Sequence, residues 1–166
     1  MRIWRVYVDN SVMSGMFDTH IPERVAHMRV FWQAVLDGKF QIIVSDVLED
    51  EVEKAPKHVR DFFDALPEPC IERVLSTKDS DNLAAQYICA SVITDNHLND
   101  CKHVAIATLT RADVVVSWNC RDMLNPNRIP KYSEVNETLG YNTSQGYVKL
   151  EILTPDKFME VHHDKT

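Results

Sequence analysis

The sequence predicts an α/β fold, a three-layer α/β/α sandwich around a central, mainly parallel sheet, with one more strand at the sheet edge near the C-terminus. Three observations carry this. Short, largely apolar runs at residues 6–8, 40–44 and 114–116 lack the polar alternation of half-wet strands, so they read as strands covered on both faces. Amphipathic helical patterns lie between them, and strand–helix alternation with right-handed crossovers gives a parallel sheet. Residues 147–153 do alternate, with Val148, Leu150 and Ile152 set against Lys149 and Glu151, as in an edge strand with one face in water.

Length and composition bound the rest. The 166 residues read as a single domain, a core over 1–124 and a C-terminal extension over 125–166, long enough to bury a sizeable interior. A formal charge of −7 argues against a broad basic surface that would hold nucleic acid by counterion release alone. No apolar run approaches the roughly 20 residues that span a bilayer. The N-terminal residues lack the apolar core and small-residue cleavage site of a signal peptide and read as a first strand. Cys70, Cys89, Cys101 and Cys120 form no Cys-x-x-Cys pair and read as reduced, mostly buried thiols of a cytoplasmic protein. There is no glycine-rich phosphate loop and no Gly-x-Ser-x-Gly elbow; the chain has only 4 glycines.

Taken in order, the first strand ends at Val8 on Asp9, which reads either as a helix cap or as a ligand at the carboxyl edge of the sheet. Pro22 opens a helix with Val25, Met28, Phe31, Trp32 and Val35 at helical spacing, and Gly38 stops it. The apolar pairs Phe31-Trp32 and Phe62-Phe63 suit the core, an oligomer contact or a partner helix. The helix that starts at Ser45–Asp46 ends at Pro56. At about 100° per residue its Val47, Leu48, Glu51, Val52 and Ala55 share one arc. Glu49, three residues after Asp46 as in a capping box, faces water; Glu51 is the charge in the apolar stripe. A carboxylate turned inward is costly unless paired, hydrogen-bonded or bound to a cation. A short helix at 57–66 carries Val59, Phe62, Phe63 and Leu66 inward, residues 71–75 are strand or extended chain, and Ser80 caps the next helix, which runs toward Val92. A polar turn at 94–99 leads to a helix capped by Asp100, in which Asp100, His103, Val104 and Ala107 share a face. The strand Val114–Val116 follows, with Asn119 and Asp122 just past its carboxyl end. After Asp122 the chain is rich in turns, and Thr154-Pro155 starts a last short helix. The His162-His163-Asp164 tail reads as a frayed terminus rather than a metal site.

Asp9 and Asn119 lie beyond the ends of two strands, and Glu51 and Asp100 near the starts of two helices, so a parallel sheet can bring them to one crevice. Carboxylates gathered there repel one another and suit Mg²⁺ or Mn²⁺. At this point the sequence resembles the PIN-domain family, in particular toxin-like ribonucleases of the VapC type. The matching pieces are Val8-Asp9, Ser45 to Glu51, Asp100-x-x-His103-x-Ala105-x-Ala107 and Val116-Ser117-Trp118-Asn119-x-x-Asp122, with Gly146-Tyr147 and Ile152-Leu153-Thr154-Pro155 similar to a Ser-Trp-Asn subgroup. The resemblance implies a Mg²⁺- or Mn²⁺-dependent endoribonuclease acting on single-stranded RNA, a homodimer, and a small antitoxin protein as partner. It implies catalytic places at Asp9, Glu51, Asp100, Asn119 and Asp122, with Asp9, Glu51, Asp100 and Asp122 as metal ligands. Many members carry Asp where Asn119 stands, and the subgroup often has histidine where Asp122 stands, so either residue can fill the fourth acidic place. His103 matches a position that packs or orients. Two other classes stay open: a PIN-fold binding or scaffold module without catalysis, and, less well supported, a phosphoryl-accepting domain using Asp9.

Overall fold

The computed structural model describes residues 3–90 and 97–163. Most of the expected turn at 94–99, the continuation of the preceding helix toward Val92, and Asp164 lie outside them. Five strands, β1 (Trp4–Val8), β2 (Phe40–Ser45), β3 (Ile71–Val74), β4 (Val114–Val116) and β5 (Ile152–Leu153), form one parallel sheet in the order β3-β2-β1-β4-β5. The helices are α1 (Asn10–Ser14), α2 (Pro22–Leu36), α3 (Asp46–Glu53), α4 (Lys57–Asp64), α5 (Lys78–Cys89), α6 (Leu98–Leu109), α7 (Ile129–Thr138) and α8 (Pro155–Phe158).

The strands are apolar throughout because each face has its own core. Val6, Val8, Ile42, Val44, Val114 and Val116 point into a cluster with Met28, Phe31 and Trp32 of α2, Val59 and Phe63 of α4, and Phe158 of α8. The alternate residues Tyr7, Ile43 and Val115 point the other way, against Leu83 and Tyr87 of α5, Val104 to Ala107 of α6 and Tyr132 of α7. The period of two in a strand thus builds the three layers. Phe31 anchors the first core, its ring 5.3 Å from Trp32, 5.1 Å from Phe40 and 6.4 Å from Phe158. Phe31, Trp32 and Phe63 belong to the core. Phe62 is half-buried, 5.2 Å from Trp32 and 5.9 Å from the partly exposed Phe17.

Several ends differ from the sequence reading. The C-terminal strand shortens to Ile152–Leu153, whose alternating approach is irregular chain. α3 is capped by Ser45, whose Oγ accepts the Leu48 N–H at 3.2 Å; Asp46 instead accepts from the Ser76 N–H at 2.8 Å and hydroxyl at 2.6 Å. Glu49 pairs with Arg73, which Glu68 shares at 2.9 Å. Thr77, not Ser80, caps α5, and Ser80 closes the reciprocal half of that capping box. His97 stands at the N-cap of α6, and Asp100 lies within its first turn. Gly38 takes φ +73° two residues past the end of α2, where its N–H reaches the Val35 carbonyl at 3.0 Å, a left-handed closure that a side chain would strain. Cys101 is buried, but Cys89 and Cys120 are exposed, so the thiols are not mostly buried. No helix of the described residues is long and apolar enough to cross a membrane.

Core and cap contribute on different scales. Phe31→Ala is expected to cost about 3–5 kcal/mol in chemical denaturation, and Thr77→Ala about 1 kcal/mol. Equal losses would contradict the placement of Phe31 at the centre of an aromatic cluster.

Candidate functional site

The strand order turns outward on either side of β1. β2 and β3 lie to one side and β4 and β5 to the other, so the chain diverges between β1 and β4 and opens a crevice at their carboxyl ends. The register pairs Val8 with Val116, and the next residues, Asp9 and Ser117, meet across the opening. Asp9 occupies the N-cap position of α1 but makes no side-chain cap bond. Its buried carboxylate accepts from Ser117 Oγ at 2.6 Å and Ser11 Oγ at 2.5 Å. Between the two readings of Asp9, capping is therefore not what its side chain does. Burial pushes its pKa up and the Glu51 charge adds to this, while His103 and the two hydroxyls oppose it.

Glu51 projects from the second turn of α3, and its carboxylate meets His103 Nε2 at 2.5 Å. The His103 ring is buried. Burial alone would lower its pKa, but the Glu51 hydrogen bond and the charges of Glu51, Asp9 and Asp100 outweigh that and raise it. Asp100, one turn before His103 on α6, is pushed up to about 6 by burial, then by the charges of Asp122 and Asp9; His103 and a hydrogen bond from the Asn119 side chain work against the rise. Asn119 also accepts the Asp122 N–H at 3.1 Å, so it folds the turn that carries Asp122. Asp122 is buried, paired with Arg128, and 3.0 Å from His97 Nδ1.

The five residues singled out from the sequence thus reach one edge of the sheet, but in two groups. Donor atoms of Asp100, Asp122 and His97 lie within 4.8 Å of one another, the spacing of ligands around a single ion. Asp9 and Glu51 are outside that group, the first held by hydroxyls and the second by His103, and both are linked to it through the charges that perturb Asp100 and His103. Carboxylate oxygens and one imidazole nitrogen make a donor set that could hold a divalent cation. Asp9 and Asp100, both displaced toward the neutral form, fit a centre that a cation would stabilise. Burial and the charge of the neighbouring Asp100 push the Cys101 thiol up to about 12, which disfavours its thiolate.

Sequence reasoning missed His97, Arg128, Ser11 and Ser117. Ser11 two residues after Asp9 is a spacing that permits the contact it makes. His97 and Arg128 reach Asp122 from separate segments on either side of it in sequence, and no local pattern announces that.

Fold and site together define an α/β protein with an acidic crevice at the switch point of its sheet. No family model matches the sequence, and no curated protein matches it. Among solved structures the fold is similar to VapBC2 from Rickettsia felis, in a crystal structure bound to a DNA fragment from their promoter. The TM-score is 0.51 and the identity 13%, over 89% of this chain and 98% of that one. At that identity the likeness is one of fold, and the parallel sheet fits the PIN fold.

A carboxyl whose folded pKa lies above its unfolded value stabilises the fold at pH below the unfolded value, and that stability is lost as pH rises through the folded one. For Asp100 the window runs from about 4 to about 6. In chelator, the wild-type protein is expected to lose up to about 3 kcal/mol through this window on account of Asp100, and Asp100→Asn is expected to flatten that part of the pH profile. Identical profiles for the two proteins in denaturation at pH 5 and pH 7.5 would contradict the burial and repulsion described for this carboxylate.

Proposed function

We propose that this chain is a divalent-cation-dependent endoribonuclease of the VapC kind, cutting single-stranded RNA as the toxin of a toxin–antitoxin pair. The observation that carries the reading is the closeness of Asp100 and Asp122 at the edge of the sheet, where Asp9 adds its charge and Asp100 is raised to about 6 by burial and by these acidic neighbours. The fold shared with a VapBC2 chain supports the class, and that protein's assembly with a partner supports a small antitoxin here. The same reading carries a cytoplasmic homodimer built from one PIN-like domain.

In this reading Asp9, Glu51, Asp100 and Asp122 hold Mg²⁺ or Mn²⁺, and Asn119 orients Asp100. A bound ion of this kind supplies a water nucleophile near neutral pH and neutralises charge on a phosphodiester. The chain's own part is to hold the acids: two hydroxyls fix Asp9, His103 fixes Glu51, and Asn119 fixes the turn of Asp122. Arg128, partly exposed beside Asp122, offers positive charge to an RNA backbone that approaches an otherwise acidic crevice.

One observation favours a second reading, a PIN-fold binding module without catalysis. Asp122 is already paired with Arg128, and Asn119 stands where an acid would complete the set. Cleavage of single-stranded RNA separates the two. The purified protein is expected to cut with Mg²⁺ or Mn²⁺, to be silent in EDTA, and to lose about 10²-fold or more in Asp9→Asn and Asp100→Asn, the scale of removing a principal electrostatic group. Cutting that survives both substitutions, or that continues in EDTA, rules the nuclease reading out.

A further inference from the structure

The three acids Asp9, Glu51 and Asp100 belong to three different elements, and a buried line of polar groups crosses those same elements. Ser45 Oγ, at the head of α3, lies 2.8 Å from Tyr7 Oη of β1. Tyr7 Oη lies 2.6 Å from His103 Nδ1 of α6, and His103 Nε2 lies 2.5 Å from Glu51, back on α3. Tyr7, Ser45 and His103 are 0%, 0% and 1% exposed, so water does not complete their bonding. The strand register explains the first contact. Tyr7 pairs with Ile43, and Ser45, two residues on, shares its face of the sheet.

Ser45 Oγ accepts the Leu48 N–H at 3.2 Å and keeps one hydrogen and one lone pair, either of which Tyr7 Oη can meet at 2.8 Å. Tyr7 Oη in turn meets His103 Nδ1, and a hydrogen on Nε2 donates to Glu51. Nε2–H points at Glu51 whichever of Tyr7 and His103 donates in the bond between them. Burying two hydroxyls and an imidazole where Ile43, Val104 and Val115 pack is unfavourable unless every group is satisfied. Packing alone would be met by apolar side chains.

We propose that the Ser45–Tyr7–His103–Glu51 line is a positioning device that aims the Glu51 carboxylate at the carboxyl edge of the sheet and registers the three acid-bearing elements against one another. Tyr7 stands two residues before Asp9, His103 three residues after Asp100, and Ser45 begins the helix of Glu51. A shift of any one element therefore disturbs a bond inside the line as well as the acid it carries. His103 and Tyr7 are positioning residues, acting through Glu51. The inference rests on the reading of this edge as a divalent-cation centre.

Tyr7→Phe removes one hydroxyl and keeps the ring. Mn²⁺ affinity measured by titration calorimetry is expected to fall about 10-fold or more, the usual effect of losing a group that orients a ligand. In ¹⁵N-histidine spectra of the metal-free protein, wild-type His103 is expected to carry a hydrogen on Nε2, and the Nδ1 signal is expected to move to the unbonded position in Tyr7→Phe. His103→Phe is expected to weaken Mn²⁺ binding comparably, and His103→Gln, which keeps an N–H donor, to recover part of it. A folded Tyr7→Phe with wild-type Mn²⁺ affinity overturns the proposal. Should Tyr7→Phe not fold, the wild-type spectrum decides, because a neutral ring protonated on Nδ1 overturns it equally. Should wild-type protein bind no Mn²⁺, the cation-centre reading falls by itself, and the line is judged on whether the Nε2–H signal moves in Glu51→Gln; a signal that stays put overturns it.

Discussion

Repulsion between carboxylates that the fold holds close together is the constraint to which the rest of this molecule answers. Asp9 and Asp122 are buried and Asp100 and Glu51 partly so, all toward one edge of a sheet. In a partly desolvated crevice such charges interact far more strongly than in water. Each acid is accordingly met by a specific group: hydroxyls on Asp9, an imidazole on Glu51, the Asn119 amide on Asp100, a guanidinium on Asp122. Only the last is a permanent cation. The hydroxyls and the amide leave the negative charge in place and merely direct it, so the crevice stays poised for positive charge from outside.

The architecture makes that concentration of charge possible without exposing the core. Both faces of the sheet are sealed, one by α2, α4 and α8 and the other by α5, α6 and α7, and the strands present side chains alternately to each. The open place is the end of the sheet, where the crossovers leave in opposite directions. The side chains there come from residues just beyond the last paired rung, which are free of the alternation that governs the interior. Gly15 helps to shape this end, because a Cβ would stand 3.1 Å from both Met28 Cγ and Trp118 Nε1. Its lack of a side chain lets Trp118 lie down beside Ser117, with its indole N–H 3.0 Å from Met28 Sδ.

Much of this was legible in the order of residues, for identifiable reasons. Continuous apolar strands, the inward Glu51 and the acids at strand ends follow from periodicity and from the cost of burying charge, both local properties. The α/β/α layering follows from them. Helix starts were less legible where more than one hydroxyl or carboxylate stands near the first turn, as with Ser45 beside Asp46, or Thr77 three residues before Ser80. Partnerships across the fold were least legible. That His103 serves Glu51, or that Arg128 and His97 meet at Asp122, depends on how helices settle on the sheet, and no spacing in the chain encodes it. Tyr7 reads as one more apolar residue in a strand until Ser45 and His103 are seen beside its hydroxyl.

The pairing of β1 with β4 also bears on how the protein is made. Asp9 accepts from Ser117, 108 positions later, and β1 is central although it leads the described chain. On the ribosome the first strand must wait for most of the polypeptide to emerge before its second neighbour exists, and contacts so distant in sequence form late. The crevice therefore comes into being only when synthesis of this region is nearly complete, and a truncated or half-made chain lacks the edge where the acids meet.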